Sequence, residues 1–216
     1  MPRNEFLPRL AVLLAVITCV AIAAHSGYTG SATGTDWDTF GTPGNGVNQF
    51  AGPTGILVNP AGQIFVADAR NSRVVLVNDM VGTGWTAFGS RGTGVNQFTF
   101  PYGIFVTPAG QIFVTDIYRL VRLNGMTGSG WTTFGTRGDG VGQFKGLTGI
   151  SVNSAGQILV ADTGNNRIVR INDMAGGGWT TFGSSGSGVN QFIQPEGVFV
   201  STTGQIFVAD AGNHRL

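Results

Sequence analysis

The string GQIFVAD at residues 62–68 returns as GQIFVTD at 110–116, GQILVAD at 156–162 and GQIFVAD at 204–210. Its closing aspartates, Asp68, Asp116, Asp162 and Asp210, are spaced by 48, 46 and 48 residues. Trp37, Trp85, Trp131 and Trp179 keep the same intervals, as do Gln49-Phe50, Gln97-Phe98, Gln143-Phe144 and Gln191-Phe192. One register therefore runs through everything beyond residue 36. A period of this length marks a repeat architecture, in which each unit buries its apolar face only by stacking on its neighbours.

Within a unit, four short runs rich in β-branched and aromatic residues are separated by Gly, Pro, Asn or Asp. The first is of the GILV type and begins at Gly55, Gly103, Gly149 and Gly197; the second is QIFVAD and its variants. The third is RVVLVN at 73–78, RLVRLN at 119–124 and RIVRIN at 167–172. The fourth is WTAF or WTTF, with WDTF at 37–40 before the first unit. The second run is apolar at consecutive positions, as in Ile64-Phe65-Val66-Ala67. A strand covered on one side only would alternate. This one is predicted to be packed on both faces, inside a blade held between two other blades. The predicted fold class is all-β: a β-propeller of four-stranded antiparallel blades, about four repeats, the last incomplete. The 36 glycines would suggest disorder if they had no period, but here they recur at turn positions beside apolar runs.

The units carry a Pro-x-Gly-Ile/Val start, an apolar strand ending in Asp, and Asn-x-Arg leading into the next strand. Pro101-Tyr102-Gly103-Ile104, Asp162-Thr163-Gly164-Asn165-Asn166-Arg167 and Asp210-Ala211-Gly212-Asn213-His214-Arg215 show it. In these features residues 37–216 resemble the NHL-repeat β-propeller family, in its bacterial secreted form. Two departures stand out. DIYR at 116–119 is two residues shorter between Asp and Arg, and Lys145-Gly146-Leu147-Thr148 lacks the proline of Pro53, Pro101 and Pro195. The resemblance implies rings of six blades, whereas just under four are present. The expectation is a partial ring truncated at its C-terminus; the alternative is self-association, a second copy completing the ring through the incomplete blade edges.

Residues 1–24 differ from the rest. Arg3 and Arg9 precede an uncharged stretch, Leu10–Ala24, shorter than the ~20 residues of a membrane span. Ala21-Ile22-Ala23 supplies small residues for cleavage after Ala23 or Ala24, so 1–24 is read as a signal peptide and 25–36 as a short linker. An uncleaved anchor is the alternative. The expected location is secreted or periplasmic, with no membrane span after cleavage. Cys19 lies within the leader, so the mature chain is expected to have no disulfide and no thiolate site.

Strand direction places the second-to-third turns and the fourth-to-first linkers on one face, the top. The recurrent Asp68, Asp116, Asp162 and Asp210, each followed by Arg73, Arg119, Arg167 or Arg215, are read as structural. Each carboxylate is expected to accept N–H groups of its turn and to meet its arginine, not to hold a cation. Positions that vary between units are the candidates for partner contact: Arg70, Tyr102, Tyr118, Lys145, Asn166, Glu196 and His214. Without the leader, basic and acidic residues balance, which argues against nucleic acid. The mature chain has His25 and His214 only, and neither a GxSxG serine nor a glycine-rich loop opening a helix is present. No catalytic residue, metal or cofactor is expected, and the chain is read as a non-enzyme unless further blades bring a metal site. The expected function is binding or scaffolding of a protein, peptide or glycan through the top loops. The alternative is a fragment of an NHL-like lyase or of an extracellular sensor domain.

Overall fold

In a computed structural model the described residues are 38–216. The leader, the linker 25–36 and Trp37 lie outside them, as do Cys19 and His25. The apolar runs form three four-stranded antiparallel blades and a fourth with two strands. Blade 1 comprises an inner strand Pro53–Val58, a second Ile64–Asp68, a third Arg73–Val77 and an outer Thr86–Phe88. Blade 2 repeats this with Pro101–Val106, Gln111–Asp116, Arg119–Asn124 and Thr132–Phe134. Blade 3 has Leu147–Val152, Ile158–Asp162, Arg167–Ile171 and Thr180–Phe182; blade 4 has Pro195–Val200 and Ile206–Asp210. A single bridge, Asp210 with Arg215, begins a third strand there. Among the described residues no helix is long and apolar enough to cross a membrane.

Why the second strand is apolar throughout follows from its register. Ile64 and Val66 lie opposite Val77 and Val75, while Phe65 and Ala67 lie opposite Leu76 and Val74. Successive side chains point to opposite faces, so each blade has a leading face towards the preceding blade and a trailing face towards the next. The trailing face of blade 1 (Leu57, Phe65, Val74, Leu76, Phe88) packs against the leading face of blade 2 (Ile104, Val106, Ile112, Val114, Val121, Leu123). Blade 2 meets blade 3 in the same way, and blade 3 meets blade 4. The inner strand of each blade does most of this, resting on the inner and second strands of the blade before it.

Glycine and threonine set how closely inner strands approach. A Cβ at Gly55 would collide with the Tyr102 carbonyl oxygen, one at Gly103 with that of Thr148, and one at Gly149 with that of Glu196. Each of these carbonyls also accepts a hydroxyl from the preceding blade. Thr54 Oγ1 donates to Tyr102 O at 3.0 Å and Thr148 Oγ1 to Glu196 O at 2.7 Å. Blade 2 has Tyr102 at the donor position, and Thr115, where the other blades have alanine, takes over with 2.6 Å to Thr148 O.

Three features differ from the sequence reading. Inner strands begin at Pro53, Pro101, Leu147 and Pro195, two residues before the glycines. Trp85, Trp131 and Trp179 precede the outer strands and belong to aromatic trios, as Trp85 does with Phe40 and Phe50, and Trp131 with Phe88 and Phe98. Of the run at 37–40, Asp38–Phe40 has no strand pairing; outer strands pair with third strands, and blade 4 has only the Arg215 bridge to offer. The linkers hold two-residue parallel ladders, Thr42–Pro43 with Gln49–Phe50 and its equivalents, too short to leave a periodic pattern.

Phe144 is fully buried between blades 2 and 3. Phe144→Ala is expected to cost about 3–5 kcal/mol, the range for deleting a buried aromatic ring. Val141→Ala, on an exposed loop three residues earlier, is expected to change stability by less than about 0.5 kcal/mol. Urea unfolding of the two variants measures both.

Candidate functional site

The top face is built on four buried carboxylates. Asp68 Oδ1 accepts Ala51 N–H at 2.7 Å, and Oδ2 accepts Asn71 Nδ2 and Arg73 Nε, both at 2.8 Å. The rest of the Arg73 guanidinium donates to the carbonyls of Asn45 and Gln49, each at 2.7 Å. Asp162 repeats this with Lys145 N–H, Asn165 and Arg167, and Asp210 with Ile193 N–H, Asn213 and Arg215. The expected partners in each aspartate's own turn are therefore wrong in one respect. The N–H comes from the linker 17 residues upstream, because the carboxylate points back across the blade top. Each pair thus ties turn, linker and strand together, and its oxygens are already engaged. Among the described residues no cluster of three His, Cys, Asp or Glu could hold a metal ion.

Blade 2 breaks the pattern. Its turn is only Ile117-Tyr118, with no short 3-10 turn and no asparagine. Asp116 Oδ1 compensates by accepting two linker N–H groups, Thr99 at 2.9 Å and Phe100 at 2.7 Å. The turns of the other blades donate an N–H to their own preceding linker, as Arg70 does to Ala51 O and Gly164 to Lys145 O. This turn instead receives one from the start of the next blade's inner strand, Leu147 N–H to Ile117 O at 2.9 Å. Tyr118 is thereby held against the linker between blades 2 and 3, with the Arg137 guanidinium 5.3 Å from its ring centre. Such a pair contributes roughly 0.5–1 kcal/mol at an exposed site.

The seven candidates share this face but are not brought into one cluster. Tyr118 is on the turn of blade 2 and Lys145 is exposed on the linker entering blade 3, while Phe100, whose N–H donates to Asp116, is exposed on the linker entering blade 2. Arg70 is exposed on the turn of blade 1, and His214 on that of blade 4. Tyr102 and Glu196 are on inner strands, their carbonyls taken by threonine hydroxyls. Asn166 is engaged in structure: it adopts φ 54° and its Oδ1 accepts Gln194 N–H at 2.8 Å. Arg137 was not among the sequence candidates. The shortened DIYR turn was the available signal, because a missing turn exposes the next linker.

Charge is unevenly placed. The salt bridges among the described residues are the four Asp–Arg pairs, leaving Arg70, Arg91, Arg137 and Lys145 unpaired on top against Asp139 and Glu196. On the opposite face Asp79 and Asp173 cap the third-to-outer turns.

Burial alone would raise the Asp210 carboxyl, but hydrogen bonds from Asn213, Ile193 N–H and Arg215, with the Arg215 charge, hold it below the ordinary 3.8. A depressed carboxyl stabilises the fold above its unfolded value and loses that contribution as pH falls through the folded one. Asp210→Asn is therefore expected to melt below wild type at neutral pH, with the gap closing as pH falls below about 4. Thermal unfolding of both proteins across pH 2–7 measures this.

The family described as NHL repeat matches residues 50–75, 144–171 and 192–216. The unit with the shortened turn lies outside those segments. No curated protein matches the sequence. Among solved structures, virginiamycin B lyase from Staphylococcus aureus, as a catalytically inactive variant with quinupristin, is similar at TM-score 0.55 and 16% identity. The likeness covers 77% of this chain and 51% of the lyase. Streptogramin B lyase gives TM-score 0.56 at 16% identity, covering 76% and 50%; the nidogen/laminin complex gives 0.56 at 20%, covering 74% and 56%. The chain thus spans about half the length of these structures. The expectation of a non-enzyme is corrected by this comparison: the same fold serves two lyases, so fold and composition do not exclude catalysis. Three segments of the chain thus match the NHL repeat, and its repeats fold into stacked blades of the β-propeller class.

Proposed function

We propose that the protein is a binding module whose top face docks a partner carrying acidic groups, on a protein, peptide or glycan. The observation that carries this reading is the break in the repeat at blade 2. There a two-residue turn, shared by no other described blade, sets a tyrosine ring beneath the Arg137 guanidinium, which has no salt bridge, with Lys145 on the adjoining linker. The excess of unpaired cations on this face supports it, since a surface of one sign attracts the opposite charge and speeds encounter. Arg137 can offer a planar fork to a carboxylate or sulfate, while Tyr118 and Phe100 add apolar area beside it. Given the leader read in residues 1–24, such docking would take place outside the cytoplasm.

Heparin and poly-L-glutamate serve as probes of the two acidic chemistries. Retention of the protein on one of them at low ionic strength, falling with added salt, is the expected result. Arg137→Ala and Lys145→Ala are each expected to weaken binding about fivefold, the equivalent of about 1 kcal/mol for an exposed ion pair. The same change at Arg122, on the third strand of blade 2, is expected to leave binding unaltered. Absence of retention on both probes, or retention indifferent to Arg137 and Lys145, would refute the reading.

A further inference from the structure

Each linker loop held by an Asp–Arg pair presents an exposed valine. Val47, Val95, Val141 and Val189 occupy one register position, 48, 46 and 48 residues apart, and are 68%, 71%, 79% and 91% exposed. The positions leading up to them vary. Two residues before stand Asn45, Thr93, Asp139 and Ser187, and two before those Pro43, Arg91, Arg137 and Ser185. A single exposed aliphatic side chain needs no explanation. One kept in all four units, next to positions that change, points to a task outside the blade, since these valines belong to none of the buried clusters.

The loops are firm mounts for these tips. The residue two before the valine gives its carbonyl to the paired arginine, as Asn45 does to Arg73 and Asp139 to Arg167, both at 2.7 Å. The glycine just before the valine donates its N–H to the linker glutamine, Gly46 to Gln49 Oε1 at 2.9 Å and Gly140 to Gln143 Oε1 at 3.0 Å. The other two loops repeat both bonds. A loop ordered in this way gives up conformational entropy, and what it sets at its tip is apolar.

Level and charge select the occupant. Successive blades meet through the same contact, Gly55 against the Tyr102 carbonyl, Gly103 against that of Thr148 and Gly149 against that of Glu196. One repeated rotation about the propeller axis therefore relates the blades, and it carries equivalent valines to equal height. Apolar tips at one level, each a blade apart, form neither a pocket nor a groove; they fit a flat layer. Phe100 and Ile193, exposed on the same linkers, enlarge the apolar area. Among them stand Arg70, Arg91, Arg137 and Lys145, free of salt bridges, against Asp139 and Glu196. That balance suits anionic headgroups. The opposite face also exposes Met80 and Val81, but beside the carboxylates of Asp79 and Asp173, which such headgroups repel.

We propose that the protein lies on anionic lipid bilayers with its top face down, the four valines entering the headgroup layer and the cations among the headgroups. Shallow burial of apolar area combined with attraction to anionic lipid is how proteins bind in the plane of a membrane surface. The inference goes beyond docking of a soluble acidic partner and does not rest on it, because the valines carry it.

Co-sedimentation of the full chain with vesicles of phosphatidylcholine, alone or mixed with phosphatidylglycerol, tests this. Binding is expected to be stronger with phosphatidylglycerol and to fall with added salt. Val95→Ser, Val141→Ser and Val189→Ser combined are expected to weaken it by more than about tenfold, as loss of three partly buried valines would. Retention of this triple variant on heparin, and its melting profile, are expected to match wild type. Val81→Ser, on the opposite face, is expected to leave vesicle binding unaltered. Residues 10–24 are apolar in their own right, so the valine variants decide the matter. Equal binding to both vesicles, or binding indifferent to the triple variant, would overturn the proposal. So would an equal loss in Val81→Ser, or a parallel loss of heparin retention in the triple variant, which would mean that the loops and not their apolar tips matter. Wild type held by vesicles but not by heparin or poly-L-glutamate would refute the soluble-partner reading and leave this one standing.

Discussion

The second strand of each blade is apolar on both faces, and everything else in the molecule follows from the need to cover both. A sheet with one oily face can stand against solvent on its other side; a strand reading Ile-Phe-Val-Ala cannot. Radial stacking meets the need, because every blade is at once a cover for its predecessor and a surface for its successor. Burial supplies the driving force, while glycine at the inner strands permits the approach and threonine hydroxyls satisfy the carbonyls brought together. Thr115 illustrates how tight this requirement is: where Tyr102 displaces one hydroxyl, another arrives from the adjoining strand to bond the same carbonyl. A buried carbonyl left without a donor costs free energy comparable to a lost hydrogen bond.

Stacking alone would leave the top of the blades loose, since turns and linkers there have little apolar surface. The Asp–Arg pairs solve this with charge. One buried carboxylate gathers a linker N–H, a turn asparagine and an arginine, and that arginine reaches on to carbonyls of the same linker. Removing one member would leave a buried charge unpartnered, so the unit works as a whole. The result is a rigid upper surface on which side chains can vary, and the departure at blade 2 exploits that rigidity. Shortening one turn by two residues does not disturb the blade, yet it changes which linker the turn touches and what is exposed between them.

Much of the fold was legible in the residues. Recurrence of Asp68, Asp116, Asp162 and Asp210 set the period, and the continuous apolar runs implied blades covered on both sides. The outer strands were legible only in part, because a run such as WDTF has strand composition whether or not a third strand lies beside it. Of the site, the face and the variable positions Tyr118 and Lys145 could be read, but Asn166 could not be recognised as structural: its role rests on a hydrogen bond to Gln194, 28 residues away. Arg137 was invisible for the opposite reason. It lies in a glycine-rich linker whose composition marks no strand or site, and only the path of the neighbouring turn sets it over an aromatic ring.

By itself, the sequence determined the repeat, the strand order within a unit and the pairing of each aspartate with its arginine, because these depend on residue type and on separations along the chain. Tertiary structure decided which carbonyls meet which hydroxyls, which apolar faces are left open at the ends of the stack, and where aromatic and cationic groups converge. Those outcomes depend on distances between segments nearly fifty residues apart, set by how closely two sheets approach, and no local pattern encodes such a distance.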